Sequence, residues 1–106
     1  MALRNIIAER RGTDQPDHVI VIGAHYDTVV GSPGADDNAS GVAVLLELAR
    51  LLAGRDLPRE IRLVAWGTEE PPSFGTRNMG SARHAEALLT EGRPVELVLS
   101  LEMLGY

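Results

Sequence analysis

The amino-acid sequence predicts an α/β fold in which helices cover both faces of a parallel sheet. Short apolar runs alternate along the chain with segments of helical periodicity, the order typical of this class. The runs are apolar on both faces, as expected of strands that are buried on both sides. Histidine and acidic residues follow several of these runs, at the sheet edge where such folds bind their ligands.

The first half of the chain contains two predicted strands and a helix. We expect strands from about Asn5 to Arg10 and from about His18 to Ala24, separated by a segment rich in turn residues. Asn38 or Ser40 is predicted to cap the helix, and Gly54 is predicted to end it. The apolar residues that recur at helical spacing are Val42, Leu45, Leu46, Ala49 and Leu52.

The second half repeats the order strand, helix, strand. A strand is predicted from Ile61 to Trp66, a helix from roughly Met79 to Thr90, and a last strand from Val95 to Leu101. The second helix is predicted to end at Gly92. The apolar runs are strand-sized, far below the ~20 residues that span a bilayer, so no membrane segment is predicted.

Composition narrows the function classes. The chain has 106 residues, enough for one domain, and its hydrophobic content of 44% indicates a folded protein. It contains no cysteine, so any metal must be held by nitrogen and oxygen ligands. The formal charge of −5 argues against a nucleic-acid partner. The first residues lack the pattern of a signal peptide, and the compartment is left open.

Residues with metal-ligand chemistry follow the predicted strands. His25 and Asp27 come after the second strand, Glu69 and Glu70 after the third, and Glu102 at the end of the last. Each has a simpler interpretation on its own, such as a hydrogen-bonded structural histidine, a turn residue or a solvated loop. Their joint occurrence at one edge of the sheet favours a metal site.

A further acidic segment precedes the first helix. Asp36, Asp37 and Asn38 could simply begin that helix, because such residues satisfy free backbone N–H groups. They could also supply the bridging carboxylate that a pair of zinc ions requires. Asp27, two residues after His25, is a candidate to fix that imidazole in one tautomer. The side chains of Glu69 and Glu70 diverge on extended backbone, so one can bind metal while the other faces water.

The motifs together resemble a known family. They read Gly-Ala-His-Tyr-Asp, Gly-Ala-Asp-Asp-Asn-Ala-Ser-Gly, Trp-Gly-Thr-Glu-Glu and Leu-Glu-Met-Leu-Gly-Tyr. This set is similar to the M28 family of dizinc aminopeptidases, and the similarity runs from about Asn5 to the last residue. The gap between His25 and Asp37 is short, as in that family, whereas the related M20 enzymes place the bridging Asp farther on.

The resemblance implies roles for the acidic residues. His25 and Glu102 would bind one zinc ion, Asp37 would bridge, and Glu70 would bind a second ion. Glu102 stands where many members carry Asp. Glu69 would act as the general base. Asp27 would orient the imidazole ring of His25.

The family fold also implies a strand order. The His25 strand would lie between the Ile61 strand and the Val95 strand, and the first strand would be antiparallel at the outer side of the Ile61 strand. The sheet would thus be mixed and mostly parallel, with its two helices on opposite faces.

The resemblance leaves one zinc ligand unassigned. The family takes its last ligand, a histidine, from a later segment. His84 is the only later histidine in this chain, and its charged neighbours predict a surface residue. His18 is expected at the wrong end of the sheet. Residues 1–106 are therefore interpreted as a single partial M28-like zinc peptidase domain, the amino-terminal part of a catalytic domain.

These observations lead to one functional hypothesis and two alternatives. The first is a zinc-dependent aminopeptidase segment, with one or two zinc ions, acting on a peptide or small amide and weak or inactive by itself. The alternatives are a non-catalytic metal-binding or association module and a dizinc deacylase. We also expect a homo-oligomer built on the Val95 to Leu101 edge, because an apolar unpaired strand edge pairs readily with another copy.

Overall fold

The computed structural model describes residues 4–106 as a sheet of four strands with two helices. The elements, in chain order, are β1 (Ile6–Arg10), β2 (Gln15–His25), a π-helical turn (Ala35–Ser40), α1 (Gly41–Leu52), β3 (Arg59–Trp66), α2 (Gly80–Glu91) and β4 (Val95–Ser100). Within the described residues, neither helix is both long and apolar enough to cross a membrane.

The strand order is β1-β3-β2-β4, which confirms the predicted topology. β2 runs parallel to both β3 and β4, and β1 is antiparallel to β3 at the outer side. The register pairs His25 with Trp66 and Gly23 with Ser100. The carboxyl ends of β2, β3 and β4 therefore meet at one edge of the sheet, as parallel strands require.

The two helices cover opposite faces of the sheet, as predicted. Successive residues of a strand point to opposite faces of the sheet, so the apolar residues of β2 are shared between the two faces. On the face that α2 covers, the buried cluster consists of Val19, Val21, Val64, Trp66 and Leu88. On the face that α1 covers, it consists of Ala24, Leu45 and Leu63. The central strands β2 and β3 thus lie between two thin hydrophobic layers.

The boundary of one strand and the cap of one helix differ from expectation. β2 begins at Gln15 rather than His18. The N–H of Gln15 donates to the carbonyl of Pro58, so the pairing of β2 with β3 already starts at Gln15. Neither Asn38 nor Ser40 caps α1, so the predicted cap is wrong. The Ser40 hydroxyl instead donates to the carbonyl of Asp36 at 2.7 Å. A π-helical turn, Ala35–Ser40, directly precedes α1.

His84 is buried, so the expectation of a surface residue is wrong. Only 5% of the residue is exposed. Gly80, His84 and Leu88 follow each other at intervals of four and form the buried stripe of α2. The imidazole lies against Trp66, with ring centroids 6.4 Å apart. His18, by contrast, lies at the other end of β2 and contacts Glu96 of β4, with 2.7 Å between Nδ1 and Oε1.

The burial of His84 predicts a specific pH dependence of stability. Burial and the nearby Arg62 lower the pKa of His84, so the folded state disfavours the protonated imidazole. Unfolding then takes up a proton as the pH falls below the unfolded pKa of about 6.5, and stability declines over that range. We expect a steeper decline in the parent chain than in His84→Gln, measured by urea unfolding without metal. Parallel curves for the two proteins between pH 7 and 5 would contradict this.

β4 presents an open edge. It pairs with β2 on one side, and no described residue pairs with its other side. All six of its residues are exposed, including Val95, Leu97, Val98 and Leu99. Its charged residue, Glu96, is paired within the chain with Arg59 at 2.6 Å. Unprotected apolar edges of this kind pair readily with another chain.

We propose that two copies pair antiparallel along β4 about a two-fold axis perpendicular to the sheet. This symmetry keeps α2 of both copies on one face, so the exposed Leu89, Val95 and Val98 of each copy are brought close to the joint. We expect light scattering to give a dimer that Val98→Lys dissociates. Val30→Lys, the same change at a fully exposed loop position, should leave it intact. A monomer at high micromolar concentration would contradict the proposal.

Candidate metal centre

Three strand ends and one turn bring the predicted ligands together. His25 ends β2, and its Nε2 atom faces carboxylates that come from the other segments. Its neighbours are Asp37 Oδ1 at 3.0 Å, Glu102 Oε2 at 3.2 Å and Glu69 Oε2 at 3.6 Å. The polar cluster thus assembles side chains that are up to 77 positions apart around one imidazole nitrogen.

The ligand atoms form two groups that share His25. In one group, an atom of His25, one of Asp37 and one of Glu70 lie within 4.8 Å of one another. In the other, atoms of His25, Glu69 and Glu102 do so. The side chains of the adjacent Glu69 and Glu70 therefore belong to different groups.

The second nitrogen of His25 is held by Asp27. His25 Nδ1 lies 3.1 Å from the carbonyl oxygen of Asp27 and 3.3 Å from its Oδ1. Both are acceptors, so Nδ1 carries a proton, and in the neutral imidazole Nε2 then keeps a free lone pair. The sequence suggested the carboxylate as the partner, and the structure adds the closer backbone carbonyl. Because His25 is only 1% exposed, its ring is fixed in this orientation.

Asp27 also fixes the segment that carries the two glutamates. Its Oδ1 accepts the backbone N–H of Glu69 at 3.0 Å, and its Oδ2 accepts that of Glu70 at 2.9 Å. Sequence reasoning missed these contacts, because the partners are 42 and 43 residues apart and no local pattern links them. One carboxylate therefore ties the end of β2 to the loop after β3.

The surroundings of His25 and Asp27 shift the pKa values of both side chains. Burial opposes protonation of His25, but Glu102, Glu69, Asp27 and Asp37 outweigh it and raise the pKa of the imidazole. Burial likewise opposes ionisation of Asp27. The backbone N–H groups of Glu69 and Glu70 outweigh that effect, so the pKa of Asp27 is lowered and it stays a carboxylate.

The pKa values of the two glutamates are raised, in contrast to that of Asp27. Burial raises the pKa of Glu69, and the nearby Glu102, Asp27 and Asp37 raise it further. The pKa of Glu70 is also raised, first by burial and then by Asp37 and Glu69. A carboxylate with a raised pKa is a stronger base than an ordinary one.

Two residues beside the acids have left-handed backbone. Thr68, directly before Glu69, has φ 52°, and Met103, directly after Glu102, has φ 46°. Side chains with a Cβ atom rarely adopt this conformation, and such strain is concentrated at functional sites. The Thr68 hydroxyl secures its turn by donating to the carbonyl of Asn78 at 2.8 Å.

The donor set fits a zinc ion. One imidazole and several carboxylates are the nitrogen and oxygen ligands that zinc binds at about 2.0–2.2 Å, which places neighbouring ligand atoms roughly 3.3–3.6 Å apart in a tetrahedron. The separations of 3.0 and 3.2 Å from His25 Nε2 to Asp37 and Glu102 are slightly shorter than this. Within residues 4–106, no arginine forms an ion pair with the clustered acids. Their mutual repulsion therefore favours a cation.

An open cavity borders the centre on the α2 side. Its volume is about 300 Å³, and His25, Glu69 and Glu102 line one end. The remainder of the lining is largely apolar and includes Trp66 and Leu88. The reactive groups thus face open space rather than packed core.

Comparison with known proteins agrees with this architecture. Uncharacterized protein YfbL of Escherichia coli K12 is 50% identical over 111 residues, covering 97% of this chain and 33% of that protein. Aminopeptidase YwaD of Bacillus subtilis is 38% identical over 100 residues, covering 93% and 21%. The solved structure of BSAP, a zinc aminopeptidase from Bacillus subtilis, superposes with a TM-score of 0.77 at 33% identity, covering 94% and 24%.

The chain therefore spans a third or less of the length of these relatives. The sequence similarity to the two relatives covers 97% and 93% of this chain, and the structural similarity to BSAP covers 94% of it. The model of peptidase family M28 matches residues 5–106. On this match and the fold, the chain belongs to peptidase family M28.

Proposed function

We propose that this chain carries most of the metal site of a zinc-dependent aminopeptidase, which in a complete catalytic domain hydrolyses the amino-terminal bond of a peptide or a small amide. The observation that carries the proposal is the convergence of one imidazole nitrogen and three carboxylates within 3.6 Å at the ends of parallel strands. Family membership and relatives that are named aminopeptidases support the same activity.

The metal would be held by four side chains. His25 and Glu102 would bind one zinc ion, Asp37 would bridge, and Glu70 would bind the second. The grouping of Asp37 and Glu70 with His25 supports a site that accepts one or two ions. When bound, zinc would polarise the scissile carbonyl and lower the pKa of water.

Glu69 would be the general base. Its carboxylate faces the same space as His25 Nε2, and burial among other acids raises its pKa. It would take a proton from the attacking water and deliver that proton to the leaving amine. Asp27 would keep the His25 ring in the tautomer whose Nε2 is free, and would hold the backbone of Glu69 in place.

One prediction from the proposed function concerns zinc binding by this chain. We expect calorimetric titration to show at most one tight Zn²⁺ site, because His25, Asp37 and Glu102 form a three-ligand set and the second site has fewer ligands. Glu102→Gln should weaken binding at least tenfold, since it removes a charged ligand. Glu47→Gln, the same change on the exposed face of α1, should have no effect. Two equally tight sites in a monomer would contradict the ligand assignment.

The second prediction concerns catalysis. We expect the chain alone to hydrolyse aminoacyl anilides very slowly or not at all, even with zinc, because an incomplete ligand shell does not orient the attacking water. Any zinc-dependent rate should fall about 10²–10⁴-fold in Glu69→Gln, the range for loss of a general base. If the chain alone turned over rapidly and Glu69→Gln abolished this activity, the expectation of low activity would be refuted, but the role of Glu69 would be supported. Turnover that Glu69→Gln leaves unchanged would refute that role.

A further inference from the structure

We propose that Asn38 is a positioning residue that sets the spacing of His25, Asp37 and Glu102 for the metal. This inference rests on the proposed function. Asn38 directly follows Asp37 and is only 1% exposed. Its side chain does not cap α1, the role that its position in the sequence suggested. The buried amide must satisfy its hydrogen bonds elsewhere.

The amide of Asn38 joins the backbones of the other two ligands. Its Nδ2 donates to the carbonyl of His25 at 3.3 Å and to that of Leu101 at 2.8 Å. Its Oδ1 accepts the N–H of Met103 at 3.2 Å. Leu101 and Met103 are the residues on either side of Glu102. One planar group therefore brackets Glu102 and connects it to the backbone of His25.

Two neighbours of Asn38 extend the contact along the chain. Ser40 Oγ accepts the N–H of Leu104 at 3.0 Å, and Asp36 Oδ1 accepts that of Gly105 at 2.7 Å. The side chains of Asp36, Asn38 and Ser40 thus accept hydrogen bonds from the N–H groups of the three residues that follow Glu102. Asn38 differs from the other two because it also reaches the strand ends that carry His25 and Glu102.

The Asn38 amide lies close to Gly41 of α1. A Cβ atom at Gly41 would lie 2.6 Å from the carbonyl oxygen of Leu101 and 2.7 Å from Asn38 Oδ1. Contacts that short require something to move, so glycine at this position permits the close approach of α1 to the loop after β4. The Asn38 amide is therefore packed against Gly41 and hydrogen-bonded to the backbone of His25, Leu101 and Met103.

Two substitutions test the role of Asn38. Asn38→Ala removes all three hydrogen bonds, and Asn38→Asp keeps the shape but replaces the donor with an oxygen that faces two carbonyl oxygens. We expect both to lower the affinity for Zn²⁺ about 10–100-fold, the usual effect of losing a group that orients ligands. The added charge of Asn38→Asp would by itself strengthen cation binding. Weaker binding in this variant therefore distinguishes lost positioning from electrostatics.

Asn5 offers a matched control. Its Nδ2 donates to the carbonyl of Gly80 at 2.8 Å, and its Oδ1 accepts the N–H of Gly67 at 3.0 Å, so it also joins two segments. We expect Asn5→Asp to lower the unfolding temperature but to retain zinc affinity within about twofold. Co²⁺ absorption, which reports coordination geometry, should change in the Asn38 variants only. Unchanged or tighter zinc binding in Asn38→Asp overturns the proposal. An equal loss of affinity in Asn5→Asp also overturns it, because the effect would then be one of general stability.

Amide hydrogen exchange tests the contact without metal. In Asn38→Ala, the N–H of Met103 should exchange at least about tenfold faster, while that of Gly105, held by Asp36, should keep its rate. Unchanged protection of Met103 overturns the proposal. If the parent chain binds no Zn²⁺, the proposed function fails, and exchange at Met103 alone then decides whether Asn38 holds the loop that bears Glu102.

Discussion

The parallel pairing of β2 with β3 on one side and β4 on the other determines where every functional group lies. The register sets His25 opposite Trp66 and Gly23 opposite Ser100. The loops after β3 and β4 therefore leave the sheet level with the end of β2. A slip of one residue would turn each strand over and exchange its two faces. Burial against α1 and α2 opposes such a slip, so hydrophobic packing in the centre fixes the geometry of the polar edge.

The two ends of this sheet treat buried charge differently. At the amino end of β3, Glu60 is 1% exposed and Arg62 is 5% exposed, and they pair at 3.0 Å. Arg93 adds a second contact to Glu60 at 2.8 Å. The charge of Glu60 is therefore neutralised within the chain by two arginines, because a buried charge without a partner is costly. At the carboxyl end, the described residues provide no such arginine, and the acids surround a single imidazole. Charge is balanced where it supports the fold and left unbalanced where a cation can bind.

Hydrogen bonds from the backbone keep the unbalanced acids in place. Asp27 accepts the backbone N–H groups of Glu69 and Glu70. These hydrogen bonds stabilise the charge of Asp27 and hold the backbone of the two glutamates in place. Asn38 holds the loop that bears Glu102 with a neutral amide, which donates to the carbonyl of Leu101 and accepts the N–H of Met103. Both residues act on backbone rather than on carboxylates. The ligand side chains therefore remain free to bind a metal.

The sequence by itself determined the order of the elements, the polar residues at the strand ends and, through its motifs, the family and the strand order. These features depend on local periodicity and on residues close together in the chain. Only the tertiary structure decided that His84 is buried, because the rotation of α2 against Trp66 depends on packing with the sheet. It also decided the contacts of Asp27 and Asn38. The loop residues that Asp27 and Asn38 contact after β3 and β4 are 42 to 65 residues away, and only the folded sheet brings such distant segments together.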